Sequence, residues 1–209
     1  AVINDDFELI RRIPTIMYDS QDFYGDTPLI YALEHDKCDM AKYLIKNGDV
    51  DFCHLGRKTT PLHLAVKGRI EILRKMLSLV NKKKYKRKFD INVKDREGNT
   101  PLLAPFYSKN NKSIKTESIN TECLKLILQN GADITANDLE GKNILYHSIN
   151  NWNIVKFDFV EFILSNNDLN LSKSSSCLLL ETLYNQKQND KINLILDRFG
   201  IDPEFMKYI

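Results

Sequence analysis

The sequence predicts an all-α repeat solenoid built of stacked helix-turn-helix units, and three observations carry that prediction. A Thr-Pro-Leu start recurs along the chain. Thr27-Pro28-Leu29 is followed 33 residues on by Thr60-Pro61-Leu62 and 40 further on by Thr100-Pro101-Leu102. Looser versions follow, Asn143-Ile144-Leu145 after 43 residues and Ser176-Cys177-Leu178 after 33. A period in this range marks an array of stacked supersecondary units. Secondly, apolar residues at helical spacing come after each start, such as Ile70, Leu73, Met76 and Leu77, or Leu124, Ile127 and Leu128. Thirdly, turn formers close the units at matching places: Asn47-Gly48, Asn130-Gly131, Asn166-Asn167 and Phe199-Gly200. These residue types tolerate the left-handed backbone found just past a helix C-terminus.

Each element can be justified in chain order. Asp5–Ile13 places Phe7, Leu9, Ile10 and Ile13 on roughly one face and stops at Pro14, which reads as a cap helix. The chain opens on Ala1 rather than Met, which fits a fragment or a processed N-terminus. In each unit Thr caps a short inner helix and Pro takes its first turn, where no backbone donor is missed. Outer helices are expected over Met40–Ile45, Ile70–Leu77, Glu122–Leu128, Phe159–Leu164 and Lys191–Leu196. Asp95-Arg96-Glu97-Gly98 and Asp138-Leu139-Glu140-Gly141 have the composition of β-hairpin-like finger tips. The expected organisation is one domain over 1–209, with a cap over 1–21 and five units at 22–54, 55–94, 95–137, 138–171 and 172–209. The 40 and 43 spacings place a basic loop at 81–89 in the second unit and an insertion at 108–121 in the third. That insertion is polar and Ser/Thr-rich, so a mobile loop is expected, with Ser113, Thr116 and Ser118 the positions for a docking or phosphorylation role.

Thr60-Pro61-Leu62-His63-Leu64-Ala65, at this period, resembles the signature of the ankyrin-repeat family, and the resemblance covers nearly all of the chain. Units four and five depart from it, with Asn143-Ile144 and Ser176-Cys177 in place of Thr-Pro. The resemblance implies a protein-interaction module, an adaptor or scaffold belonging to a larger regulatory protein. It implies partners along a concave surface of finger tips and inner helices. By register the tips offer Phe23, Tyr24 and Asp26, then Arg57 and Thr59, then Arg96, Glu97 and Asn99, then Leu139, Glu140 and Lys142. The inner helices add Glu34 and His35, Lys67, Tyr107, and Asn150 and Asn151. Phe23 and Tyr24 have the anchor chemistry of binding hot spots, or else cover the cap helix. Trp152 is either an exposed anchor or core filler. His63 is expected to tie neighbouring units together by hydrogen bonds.

Composition excludes more than it assigns. The chain has 209 residues, 43% of them hydrophobic and 28% charged, an ordinary balance for one elongated domain. Its longest apolar run, Cys177-Leu178-Leu179-Leu180, is far short of a membrane span. Cys38, Cys53, Cys123 and Cys177 sit in different units without metal-ligand spacing, which suits a reduced intracellular protein in nucleus or cytoplasm. No cofactor or metal is expected. Cys53-His54 is the only adjacent nucleophile–base pair, and sequence neighbours seldom face each other productively, so no catalytic residue is assigned. A monomer that binds another protein is the main expectation. One anomaly stands apart. Lys82, Lys83, Lys84, Lys86, Arg87 and Lys88 put six basic residues in seven, and without them the net charge of +2 becomes −4. The run reads as a solvated loop, as a nuclear-import signal, or as a contact for nucleic acid or another anionic surface.

Overall fold

The computed structural model describes residues 1–2, 4–80, 89–107, 119–151 and 154–165, with Asn193, Leu196 and Asp197 farther along. The basic run 82–88, residues 108–118 of the insertion, Trp152, Asn166-Asn167, Cys177, most of the fifth unit and its turn Phe199-Gly200 lie outside the described residues. The described residues form two compact units, one holding those up to Asp133 and the other those from Ile134 onward. All regular elements among them are helical, which bears out the all-α repeat class.

The first compact unit opens with α1 (Phe7–Arg12), capped by Asp6, whose carboxylate accepts from the Leu9 N–H. Ile10 is buried and Phe7 meets Tyr43 edge-on at 5.8 Å, but Leu9 is 45% exposed. The cap helix therefore buries a narrower face than its apolar residues suggest. A 3-10 turn over Thr15–Asp19 follows and buries Tyr18, whose hydroxyl donates to the Ile10 carbonyl at 2.9 Å. Two helix pairs come next, α2 (Pro28–Glu34) with α3 (Cys38–Asn47) and α4 (Pro61–Val66) with α5 (Ile70–Val80). Thr27 and Thr60 cap the inner members, and Pro28 and Pro61 stand in the first turn, as the Thr-Pro pattern requires. Like members stack: α2 against α4, and α3 against α5. The shared core includes Leu29, Leu33, Met40, Leu44, Leu62, Leu73 and Met76. Each such side chain contributes about 1.5–3 kcal/mol by leaving water. Exposed ion pairs such as Arg11–Glu8 and Lys42–Asp39 contribute about 0–1 kcal/mol, so burial dominates.

The third repeat departs from the pattern. Its expected inner helix is a turn followed by a 3-10 segment, Ala104–Tyr107. Pro105 explains this, because it has no N–H for the helical ladder and biases Ala104 away from the α region. The Leu103 N–H bonds the Thr100 carbonyl instead of the hydroxyl, and Thr100 Oγ1 is buried without a hydrogen-bond partner. The outer helix α6 (Thr121–Gln129), capped by Asn120, forms normally and packs on α5 and α4. The second compact unit holds α7 (Ile144–Asn150), capped by Asn143, and α8 (Phe157–Leu164), which pack together over Ile144, Leu145, Ile149, Phe159 and Ile163.

The helix-ending glycines serve different purposes. Gly131 has φ +92°, the expected left-handed form. Gly48 has φ −101° and is extended, so space rather than backbone angle demands it. A Cβ there would lie 2.9 Å from the Leu44 carbonyl oxygen and 3.1 Å from Tyr18. Gly56 is tighter still, with a Cβ meeting the Asp26 carboxylate and lying 2.6 Å from Ile30 Cδ1. Gly56→Ala is expected to destabilise the fold by about 1–3 kcal/mol in urea unfolding, as overpacking does, while Gly131→Ala acts only through its backbone angle.

Candidate functional site

The fingers are hairpin-like turns, and in all but the second a single carboxylate shapes the turn. In the first, the Asp22 N–H donates to the Asp26 carbonyl and the Gly25 N–H returns to the Asp22 carbonyl. Asp22 Oδ1 accepts from the N–H groups of Tyr24 and Asp26 at 2.9 and 2.8 Å. Asp95 does the same for Glu97 and Asn99 in the third finger. The closing glycines, Gly25 at φ +85° and Gly98 at φ +76°, take a conformation side chains resist. The second finger, Gly56–Thr59, lacks the carboxylate and is closed by the Gly56 N–H on the Thr59 carbonyl.

Neighbouring fingers of this compact unit are joined by side-chain-to-backbone bonds. Asp26 is only 4% exposed, and its carboxylate accepts from the Arg57 N–H at 2.7 Å. His54 Nε2 lies 2.8 Å from the Gly25 carbonyl, so it carries the proton and donates. Arg96 donates its Nε–H to the Gly56 carbonyl and its backbone N–H to the Lys58 carbonyl. His63 is fully buried: Nε2 sits 2.9 Å from the Asn99 carbonyl and Nδ1 2.8 Å from Thr60 Oγ1. A carbonyl only accepts, so Nε2 carries a proton, and burial lowers the ring's proton affinity, which leaves Nδ1 bare to accept the Thr60 hydroxyl. His63 therefore joins the second repeat to the third finger, as its place in Thr-Pro-Leu-His suggests.

The candidate residues sort accordingly. Phe23 is 96% exposed, so it does not cover the cap helix, and it meets Tyr24 edge-on at 5.5 Å. The Arg57 guanidinium lies 5.4 Å over the Tyr24 ring. His35 is exposed and stacks with Tyr31, while Glu34, Thr59, Lys67 and Tyr107 are half-buried. Burial pushes the Lys67 ammonium below its ordinary range, opposed by Asp95. Two candidates fail as contacts: Asp26 and Asn99, at 4% and 2% exposure, are internal supports of the fingers. Arg57, Arg96 and Glu97 face solvent. In the second compact unit Leu139 is 83% exposed, Glu140 is exposed and pairs with Lys142, and Lys142 lies 5.1 Å over Tyr146. Asn151 ties its amide to the His147 carbonyl at the end of α7, and Asn150 is half-buried.

Sequence reasoning missed Arg69, which bridges the ends of two inner helices through the Leu33 and Leu64 carbonyls and Asp36. Only its position after Gly68 hinted at a structural role. Cys53 and His54 do not form a nucleophile–base pair. The Cys53 thiol donates to the Asp90 carbonyl and is pushed up to about 11 by burial, whereas His54 faces Gly25. Among the described residues no three His, Cys, Asp or Glu side chains form a metal-binding group, and no helix is long and apolar enough to cross a membrane.

Residues 1–88 match the family described as ankyrin repeats (3 copies). This part of the chain is a run of ankyrin repeats. Two relatives agree: human transient receptor potential cation channel subfamily A member 1, 29% identical over 138 residues, and chicken inversin, 32% identical over 136. Each alignment covers 63% of this chain, and the chain spans only 11% of either relative's length. Ankyrin repeats generally mediate protein–protein interaction and are non-enzymatic modules.

Burial lowers the proton affinity of both His63 and His147, against the opposing pull of the Asn99 carbonyl and of Asp138. Folded, these rings bind fewer protons than the unfolded chain once pH falls below about 6.5. Their stabilisation is therefore complete above pH 6.5 and is lost progressively as pH falls below it. His63→Leu is expected to cost about 1–3 kcal/mol at neutral pH by orphaning the Asn99 carbonyl. It should also flatten the fall in stability between about pH 6.5 and 5, as urea titrations at stepped pH would show.

Proposed function

We propose that the ankyrin fingers of the first compact unit, with the inner-helix face beside them, bind a segment of another protein. The observation that carries this is Phe23, a fully presented phenylalanine beside Tyr24, on a finger whose backbone is held by Asp22. A large aromatic left in water without a packing role is the kind of residue that anchors interfaces. Arg57, over the Tyr24 ring, and Arg96, on the third finger, are exposed cations of the same surface. Glu97, Glu34, His35 and Lys67 form the polar surround, and Leu139 with Glu140 and Lys142 forms a separate contact on the second compact unit. In this reading the chain is a monomeric adaptor or scaffold module of a larger regulatory protein, acting in the nucleus or cytoplasm.

A second reading rests on the six basic residues of 82–88, which give a sequence-independent contact for nucleic acid or another anionic surface, or an import signal. One experiment separates the two. Peptides are selected from a random displayed library against the full chain and measured on variants. Under the finger reading, Phe23→Ala with Tyr24→Ala weakens binding by about 30-fold with unchanged thermal stability, and neutralising the six basic residues leaves affinity intact. Binding that ignores Phe23 and Tyr24, collapses on neutralisation and falls steeply with salt would overturn it.

A further inference from the structure

The fingers are not all attached to their inner helices in the same way. In the first, the carboxylate that closes the turn has its other oxygen, Asp22 Oδ2, accepting from the Tyr31 hydroxyl at 2.7 Å. Tyr31 lies nine residues on, in α2. The second compact unit repeats the device with different chemistry. Asp138 Oδ1 accepts from the Glu140 and Lys142 N–H groups, and Oδ2 lies 2.9 Å from His147 Nε2, again nine residues on. In the third repeat the corresponding pair is Asp95 and Ala104, and a methyl group donates nothing. In the second it is Leu55 and Leu64, with neither carboxylate nor donor. The tether is thus specific to two fingers, and one of them carries Phe23 and Tyr24.

We infer that Tyr31 is a positioning residue for partner binding, its hydroxyl holding the first finger to α2 so that Phe23 and Tyr24 are presented in a fixed orientation. The inference rests on the reading of those aromatics as the anchor. Asp22 closes the turn through Tyr24 and Asp26, but those bonds are internal to the finger. Among the described residues, the Tyr31 bond joins the contacts of Asp26, Gly25 and Tyr24 with the second finger in fixing where the turn points. A charge-assisted hydrogen bond is among the stronger kinds, and Tyr31 is the largest influence holding the Asp22 carboxyl below its ordinary range. A finger fixed before binding loses less freedom on binding, so the tether raises affinity without touching the partner.

Tyr31→Phe removes the hydroxyl and keeps the ring that stacks on His35. Tyr31→His installs the donor that the fourth repeat uses at the matching position. On the full chain, amide exchange by NMR is expected to quicken about tenfold at Tyr24 and Asp26 in Tyr31→Phe, with the amides inside α2 unchanged, and to recover in Tyr31→His. Library-selected peptides that depend on Phe23 should lose about tenfold in affinity with Tyr31→Phe and regain it with Tyr31→His. Unchanged exchange at Tyr24 and Asp26 would show that the tether is idle. Faster exchange with unchanged affinity would show that it holds the finger but not for binding. Equal losses for peptides insensitive to Phe23 would mean a general effect of the substitution. Each of these overturns the inference while leaving the finger reading in place. If no selected peptide depends on Phe23 or Tyr24, the anchor reading fails and the positioning role fails with it.

Discussion

His63 makes one demand that the surrounding structure must meet: a fully buried imidazole needs an acceptor at Nε2 and a donor at Nδ1 at the same time. Thr60, three residues back, satisfies one and the Asn99 carbonyl, 36 residues on, satisfies the other. The first bond fixes the start of α4 and the second fixes the third finger against it. The same logic is spread along the first compact unit with other chemistry. Asp26 takes the Arg57 N–H, His54 reaches the Gly25 carbonyl, Arg96 reaches the Gly56 carbonyl, and Arg69 binds Leu33 and Leu64. Helix burial supplies most of the stability, but these bonds give the fingers their positions. For the buried members, His63 and Asp26, being left unpaired would cost more than the bond itself contributes.

This division of labour explains what the surface offers. Internal polar groups such as Asp26 and Asn99 are consumed in holding neighbours, so they are unavailable to a partner. What remains outside is Phe23, Tyr24 and the exposed cations, carried on turns that are already shaped. Ankyrin repeats generally mediate protein–protein interaction, and the first finger carries its two exposed aromatic residues on a turn that is already shaped. The half-buried thiol of Cys53 is likewise taken up, bonded to the Asp90 carbonyl.

Much of the fold was legible because repeat periodicity reports it directly. Thr27, Thr60 and Asn143 mark helix starts, and each caps its helix. The failures have identifiable physics. Pro105 sits inside an apolar run that reads as a helix, yet its ring removes a donor where the helix needs one. Gly48 looks like a left-handed terminator but is required by the approach of Tyr18. Register places Asp26 and Asn99 on the finger face, and register alone does not reveal that Asp26 is taken up by Arg57 of the next repeat and Asn99 by His63 of the preceding one. The Asp22–Tyr31 and Asp138–His147 pairs were invisible for a related reason: nine-residue spacing has no meaning until a turn folds back on its helix.

The most direct test of this account is the protonation of the His63 ring, read from its side-chain nitrogen chemical shifts by NMR. The account predicts a neutral ring at pH 7, with the proton on Nε2 and an unprotonated, hydrogen-bonded Nδ1, persisting below pH 6.5. A proton on Nδ1, or an imidazolium at neutral pH, would contradict it, because Nδ1 could then no longer accept the Thr60 hydroxyl.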